Sequence, residues 1–140
     1  MRHFIAAAWV LVLSGMASAE GISTGAQISV ELNTVNQVEA GCQLTFLTSS
    51  AHDTGVEKVV FETVLIDASG AVTLLTLFDF GSLPPGRPRV RQFVIPQQQC
   101  SALGSVLING VATCSVSDLD DTACEAGLTV TSRTDVELIG

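Results

Sequence analysis

Two cysteines enclose an acidic segment, "CSVSDLDDTAC", between Cys114 and Cys124. Three chemistries fit cysteines in such a setting: a metal site, a redox pair and a disulfide. A redox pair requires Cys-x-x-Cys, which the sequence lacks. A zinc site requires closely spaced cysteines or histidines, and His52 is the only histidine beyond the first 19 residues. The pattern therefore favours a disulfide.

The aspartates of the same segment could instead bind calcium. Asp118, Asp120 and Asp121 would supply the hard oxygen ligands that this ion prefers. Their spacing lacks the glycine and the distal glutamate of a calcium-binding loop, and acidic turns are commonly just solvated. We expect neither a metal site nor a cofactor, and these three aspartates are the candidates if the chain does bind a metal ion.

The chain has four cysteines, Cys42, Cys100, Cys114 and Cys124. In a small exported domain four cysteines indicate two disulfides, for which three pairings exist. Cys42 shares a strand face with apolar residues and lies far from Cys100, whereas the other two cysteines are close enough to be the arms of a hairpin. We predict the pairs Cys42–Cys100 and Cys114–Cys124.

A short polar segment, "SSAHDTG", holds the best candidates for catalysis. Ser49, Ser50, His52 and Asp53 have the side-chain types of a serine hydrolase. The partners of a catalytic triad normally converge from separate elements, whereas this segment is typical of a loop between strands. Beyond residue 19 the chain has no tyrosine or tryptophan to stack on a sugar, and no glycine-rich phosphate loop. We expect a protein that is not an enzyme.

The segment "GRPRVR" carries the one cluster of positive charge. Arg87, Arg89 and Arg91 recur at every second residue, so they would form a row along a strand. Such a row could contact an acidic partner or a carboxylate. The alternative is that arginines on an edge strand prevent aggregation between sheets.

The N-terminal segment "MRHFIAAAWVLVLSGMASAE" has the features of a secretory signal peptide. Arg2 precedes an apolar run over residues 4–13, which is too short to cross a bilayer as a stable helix. The sequence "ASA" then forms a cleavage signal that ends at Ala19. We predict a signal peptide over residues 1–19 and a single domain over residues 20–140. This domain would be periplasmic or secreted through a bacterial Sec-type route, without membrane insertion after cleavage.

The predicted mature chain is strongly acidic. Loss of Arg2 leaves five basic residues against fourteen acidic ones, a formal net charge of −9. This charge opposes binding to nucleic acids and to anionic membrane surfaces. Another protein of the envelope is therefore the expected partner, and the oligomeric state stays open.

Hydrophobic residues alternate with polar ones along most of the chain, the period of half-buried strands. Ile28, Val30 and Leu32 begin this pattern. The segments "EKVVFETVLID" and "AVTLLTLFDF" flank the turn signal "DASG", which predicts a hairpin. The second strand of this hairpin would place four apolar side chains on one face: Val72, Leu74, Phe78 and Phe80.

Three further segments refine this picture. The strand "RVRQFVIP" places two arginines on the face of Phe93 and Ile95, which predicts either a bulge near Gln92 or an edge strand exposed to water. Asn109-Gly110 predicts a second hairpin turn, and "QQQCSAL" a short helical turn. With about seven or eight strands, the pattern predicts an all-β, immunoglobulin-like antiparallel β-sandwich held by two disulfides.

The order of features from Ile28 onward resembles a group of uncharacterised small exported bacterial proteins. The matching segments are "ISVELN", "CQLTFL", "VLIDASGAV", "GSLPPGRPRVRQFVI" and "GSVLING". The middle segments are also similar to bacterial FxLYD-type and CARDB-type immunoglobulin-like modules. This resemblance implies a β-sandwich and carries no catalytic residue over to this chain.

These observations favour a protein that binds another protein through a sheet face or an edge strand. The alternative is a structural, pilin-like or assembly subunit, in which the segment "GISTGAQISVELN" would pair with the sheet of a neighbour. An enzyme ranks third.

Overall fold

The computed structural model describes residues 27–117 and 119–140. They form eight strands: β1 (Ile28–Val38), β2 (Gly41–Ser50), β3 (Val56–Asp67), β4 (Val72–Leu83), β5 (Arg89–Pro96), β6 (Leu103–Ser115), β7 (Thr129–Ser132) and β8 (Glu137–Ile139). Sheet I has the order β5-β2-β1-β7 and sheet II the order β4-β3-β6-β8. The predicted all-β class, the two-sheet sandwich and the number of strands are confirmed. The predicted signal peptide lies outside the described residues.

The inner face of sheet I follows the period-two pattern. Ile28, Val30 and Leu32 of β1 are fully buried, as are Cys42, Leu44 and Phe46 of β2. The Phe46 ring lies at the centre of the core, with its centroid 5.4 Å from that of Phe80, in sheet II. Because alternate side chains of these strands enter the core, the sequence pattern alone specified which face is buried.

Sheet II begins with the predicted hairpin of β3 and β4, which is confirmed. Its turn is held by Asp67 Oδ1, which accepts hydrogen bonds from Ser69 N (2.9 Å), Ser69 Oγ (2.7 Å) and Ala71 N (2.9 Å). These donors, the Ser69 hydroxyl first and the Ala71 amide second, hold the pKa of Asp67 below its ordinary value. The turn therefore retains a negative charge at neutral pH.

Strand β5 is an edge strand without a bulge. Its pairing with β2 runs from Arg89↔Thr48 to Pro96↔Gly41 with no shift in register. Of the two predicted explanations for the arginines, the edge position is therefore the one observed. Arg89 and Arg91 share a face with Phe93 and Ile95, and an edge strand lets both guanidinium groups reach the rim of the sandwich.

The predicted hairpin at Asn109-Gly110 is wrong, because β6 continues through both residues. Ile108 pairs with Thr63 of β3 and Gly110 with Glu62, so Asn109 is an extra residue in the ladder. The pair of residues that favours a tight turn here forms a β-bulge instead. The Asn109 amide donates to the Glu62 carboxylate across the strands, which holds the bulge in place.

Both predicted disulfides are confirmed. Cys42 of β2 is bonded to Cys100, which begins the 3₁₀ helix Cys100–Ala102, the helical turn expected there. Cys114 of β6 is bonded to Cys124, which ends the 3₁₀ helix Asp121–Cys124. The second pair therefore joins a strand to a helical turn, and not the two arms of a hairpin.

The last two strands complete one sheet each. Strand β7 runs parallel to β1, and β8 runs parallel to β6, while the other strand pairs of the described residues are antiparallel. Residues 129–139 are thus divided between the sheets. Within residues 27–117 and 119–140, no helix has the length and apolar character needed to cross a membrane.

Candidate interaction surface

Strands β4 and β5 form one side of the sandwich, which we call the open side. Each is the edge of its sheet, bonded to a neighbouring strand on one side only. The rings of Phe78 in β4 and Phe93 in β5 stack across the gap with centroids 4.2 Å apart. This contact places the free edges of both sheets next to each other.

Arg91 connects the two edges of the open side. Its Nε donates to the carbonyl of Phe80 at 2.5 Å, and its Nη2 donates to the carbonyl of Ser82 at 2.9 Å. Both carbonyls belong to β4, whereas Arg91 belongs to β5. The guanidinium therefore supplies hydrogen bonds to part of an edge that none of the eight described strands covers.

The other two arginines remain nearer to solvent. Arg89 is partly buried and donates to the carbonyl of Pro88, and Arg87 is exposed. In the part of the chain that the structure describes, the one salt bridge joins Lys58 to Asp79 at 3.6 Å. None of the three arginines is paired with a described carboxylate, although the chain carries fourteen acidic residues. Arg89 and Arg91 lie in β5, whereas Arg87 precedes it, so the strand carries two of the three predicted arginines.

Strand β4 exposes apolar side chains on both of its faces. Leu75 and Leu77 point away from the core and are 58% and 57% exposed. Leu74 shares the face of Phe78 and is 39% exposed. The ladder with β3 shifts by one residue between Leu74 and Val72, so Val72 lies on the outer face and is 67% exposed. The predicted common face of Val72, Leu74, Phe78 and Phe80 is therefore wrong for Val72.

In the described residues, the segment after β5 passes beside the end of β3 and not along β4. Strand β5 ends at Pro96, and the chain then crosses to β6 beside β3, where Ala68 N donates to the carbonyl of Ala102 at 3.0 Å. This crossing passes the β3 side of the hairpin and leaves the β4 side uncovered.

An apolar row continues from β4 across the outer face of sheet II. Leu75 pairs with Val64 of β3, Val64 with Leu107 of β6, and Leu107 with Ile139 of β8. Val64 is almost completely buried by its neighbours, whereas Ile139 is 40% exposed. We use the name β4 surface for this row together with the exposed residues of β4: Val72, Leu74, Leu75, Leu77, Val64, Leu107 and Ile139.

Sequence reasoning missed the β4 surface. The signal was present in residues 72–78, "VTLLTLF", where apolar side chains occupy both parities and no charge, proline or glycine interrupts them. Natural edge strands usually carry such interruptions, since they prevent unwanted pairing. An uncharged edge strand of this kind is typical of a surface that another chain covers.

The four candidates for catalysis do not form a triad. The His52 ring is buried, and its Nε2 lies 3.2 Å from the carbonyl of Ala123. Ser50 Oγ accepts a hydrogen bond from the His52 backbone amide, while Ser49 Oγ bonds to Ser29 on the other face of the strand. Asp53 is exposed. The ring of His52 therefore fixes a loop and is not directed at either serine.

Two aspartates of the acidic segment, Asp120 and Asp121, lie at the start of the 3₁₀ helix Asp121–Cys124. Asp120 Oδ1 accepts from Thr122 N at 3.0 Å, which caps the 3₁₀ helix, and Asp121 is exposed in the first turn of that helix. Asp118 lies outside the described residues. No cluster of three or more histidine, cysteine or acidic side chains within residues 27–117 and 119–140 is suited to hold a metal ion.

A cavity of about 700 Å³ lies beside the loop that holds His52. Its walls include His52, Asp53 and Leu119. Its walls include no residue of the β4 surface and none of the three arginines.

Comparisons with known proteins do not assign the chain to a family. No protein-family model, curated protein or solved structure matches it. The interpretation of the β4 surface therefore depends on the geometry described above.

Proposed function

We propose that this chain is an exported, non-catalytic β-sandwich that binds another protein of the bacterial envelope through the β4 surface. The observation that carries the proposal is the exposure of Leu75 and Leu77, each above one half, on an edge strand that has no ladder partner on its free side in the described structure. Apolar patches and free strand edges are the two features by which β-proteins commonly recruit another chain.

The open side offers polar recognition beside this apolar surface. Arg91 contacts β4 at Phe80 and Ser82, and none of Arg87, Arg89 and Arg91 has a described carboxylate partner. A guanidinium has five N–H donors, and Arg91 uses three of them on carbonyl groups. The remaining donors of the row suit acidic side chains at the rim of an interface.

Export is supported by two features of the chain. Two disulfides are typical of a non-cytoplasmic environment, because the cytoplasm keeps thiols reduced. Residues 1–19 have the pattern of a signal peptide. A periplasmic or secreted location is therefore part of the proposal.

The alternative of a subunit that pairs through its N-terminal segment is less well supported. Residues 29–32 of that segment are already bonded on both sides, to β2 and to β7. A neighbour could add to them only by displacing β7. The free edge of β4 requires no such displacement, so it is the better candidate for contact with another chain.

The test is site-specific photocrosslinking in the native envelope. A photoreactive amino acid replaces Leu75, and a matched control replaces Val90, which is 57% exposed on the outer face of sheet I. We expect discrete higher-mass adducts from position 75 and none from position 90. Adducts of equal yield at both positions, or none at position 75, would contradict the proposal.

A further inference from the structure

We propose that the β4 surface also receives a second copy of this chain, which pairs edge to edge with β4 in antiparallel orientation about a two-fold axis at Thr76. The inference rests on the proposed function only because it uses the same surface. It names one molecule that binds there, a second copy of the chain, and it states which residues of the two β4 strands lie opposite each other.

The regular part of β4 covers residues 74–79, and Thr76 is the middle residue of its uncharged stretch, residues 74–78. Residues 74–78 pair with β3 without a shift, whereas the register shifts between Leu74 and Val72 at one end and beyond Asp79 at the other. A regular strand is the part of an edge that can accept a further ladder. The sequence of the uncharged stretch, "LLTLF", is nearly the same in both directions.

A two-fold axis at Thr76 gives each side chain a partner of its own kind. Leu75 lies opposite Leu77 of the second copy, and Leu74 lies opposite Phe78. Opposed residues in an antiparallel pair point to the same face of the sheet. The exposed leucines of both copies would therefore form one cluster on the outer face. An axis at Leu75 would instead place Leu74 opposite Thr76, an apolar residue against a polar one.

The charges at both ends of this ladder are complementary. Arg91 binds the carbonyls of Phe80 and Ser82, so its guanidinium marks the end of the free edge. In the proposed register Val72 of the second copy lies opposite Phe80, and the turn that carries Asp67 follows directly. Each copy thus presents the Asp67 turn to the Arg91 end of the other, and the symmetry repeats this contact.

The negative charge of the chain disfavours self-association through its other, charged surfaces. Its formal net charge of −8 opposes most self-association. Residues 72–78 contain no charged side chain, and the nearby Asp79 is already paired with Lys58. A single-strand contact of this kind lies below the standard interface of about 1,600 Å². We therefore expect a dimer that dissociates on dilution.

The experiment measures the molar mass of the purified, oxidised chain by light scattering over a series of concentrations. The wild-type chain should approach twice its monomer mass as concentration rises. The variant L75K/L77K should remain a monomer throughout, because lysines would oppose each other across the axis. The charge-swapped variant L75K/L77E should recover the dimer, since residue 75 of one copy faces residue 77 of the other.

The matched control is V90K/V94K, which places two lysines on exposed positions of β5, the edge strand of sheet I. Its molar mass should equal that of the wild type at every concentration. In addition, Thr76→Cys should form a disulfide-linked dimer under mild oxidation, whereas Thr73→Cys should not, because only residue 76 meets itself at the axis.

A wild-type chain that stays monomeric at all concentrations would overturn the inference, and so would a dimer that survives L75K/L77K. Either result leaves the proposed function open to its own test. Adducts of position 75 with a different protein would support that function even without a dimer. Conversely, a dimer whose position 75 forms adducts only with itself would support the pairing and contradict binding to another envelope protein.

Discussion

The Nε of Arg91, in the edge strand of one sheet, donates a hydrogen bond to the carbonyl of Phe80, in the edge strand of the other. Backbone hydrogen bonds hold strands together within a sheet, but facing sheets are normally joined by side-chain packing alone. Here a charged side chain adds polar bonds between the sheets. The open side is consequently fixed at its Phe80 end and free at its Val72 end.

Arg91→Ala should lower the free energy of unfolding by about 1 to 2 kcal/mol, because two β4 carbonyls lose a charged donor. The matched control is Arg87→Ala at an exposed position of the same row, which should change it by less than about 0.5 kcal/mol. Urea denaturation followed by circular dichroism measures both. Equal effects of the two variants would show that the Phe80 contact contributes nothing specific.

The two disulfides should contribute unequally to stability. The Cys42–Cys100 bond spans 58 residues of sequence and the Cys114–Cys124 bond spans 10. On the chain-entropy model, replacing the first pair by alanines should cost about 4 kcal/mol and replacing the second about 3 kcal/mol. Denaturant midpoints of the two double variants provide the comparison. A larger loss from the shorter loop would contradict the entropic explanation.

Gly41 should tolerate no side chain. Its φ of 152° is unfavourable for other residues, and a Cβ added there would lie 1.9 Å from the carbonyl oxygen of Ile95. Gly41→Ala must separate β2 from β5, so we expect a loss of about 3 kcal/mol or more. Gly110→Ala is the control, because its nearest atom would be 3.9 Å away. Thermal unfolding of both variants should show a large decrease for Gly41→Ala alone.

The charge of Asp67 should stabilise the β3–β4 hairpin in a pH-dependent manner. Because its pKa is lower in the folded chain, the stabilisation is present above the unfolded value of about 3.9 and is lost as pH falls through the folded value. Asp67→Asn should therefore destabilise the chain at neutral pH and have no effect once the wild-type carboxyl is protonated.

Two measurements test this linkage. Denaturation at a series of pH values should show the wild type and Asp67→Asn converging in acid. Titration of the Asp67 carboxyl by NMR in Ser69→Ala should give a pKa closer to the ordinary value, since the Ser69 hydroxyl is the largest cause of the shift. An unchanged pKa in that variant would assign the effect to the backbone donors.

The buried face of each strand was predictable where alternation is strict. Ile28, Val30 and Leu32 occupy the core because a period of two leaves one face wholly apolar. The disulfide pairs were predictable for a similar reason, since Cys42 shares its face with Leu44 and therefore points inward. In both cases local pattern and tertiary position agree.

The sequence failed where tertiary context overrides a local signal. Asn109-Gly110 has the composition of a tight turn, but β3 offers a long partner strand that keeps β6 extended through it. Val72 has the sequence parity of Leu74 and Phe78, but a register shift beside Leu74 turns it to the outer face. Neither the length of a partner strand nor a shift in its register can be read from a short window of sequence.

The candidate surface was likewise only partly predictable from the sequence. The row of Arg87, Arg89 and Arg91 was evident from its spacing, whereas its contact with β4 depends on how the two sheets face each other. Leu75 and Leu77 were expected in a strand, yet their exposure follows from the edge position of β4, which is a property of the sheet order.

The two parallel strand pairs have a consequence for the order of biogenesis. Within the described residues, the second neighbour of β1 is β7 and that of β6 is β8, so each sheet lacks a strand until these two have formed. A chain that becomes available for folding from its N-terminus would therefore keep one side of β1 and one side of β6 unpaired for most of that time. Such non-local pairing makes the addition of β7 and β8 a late step of folding.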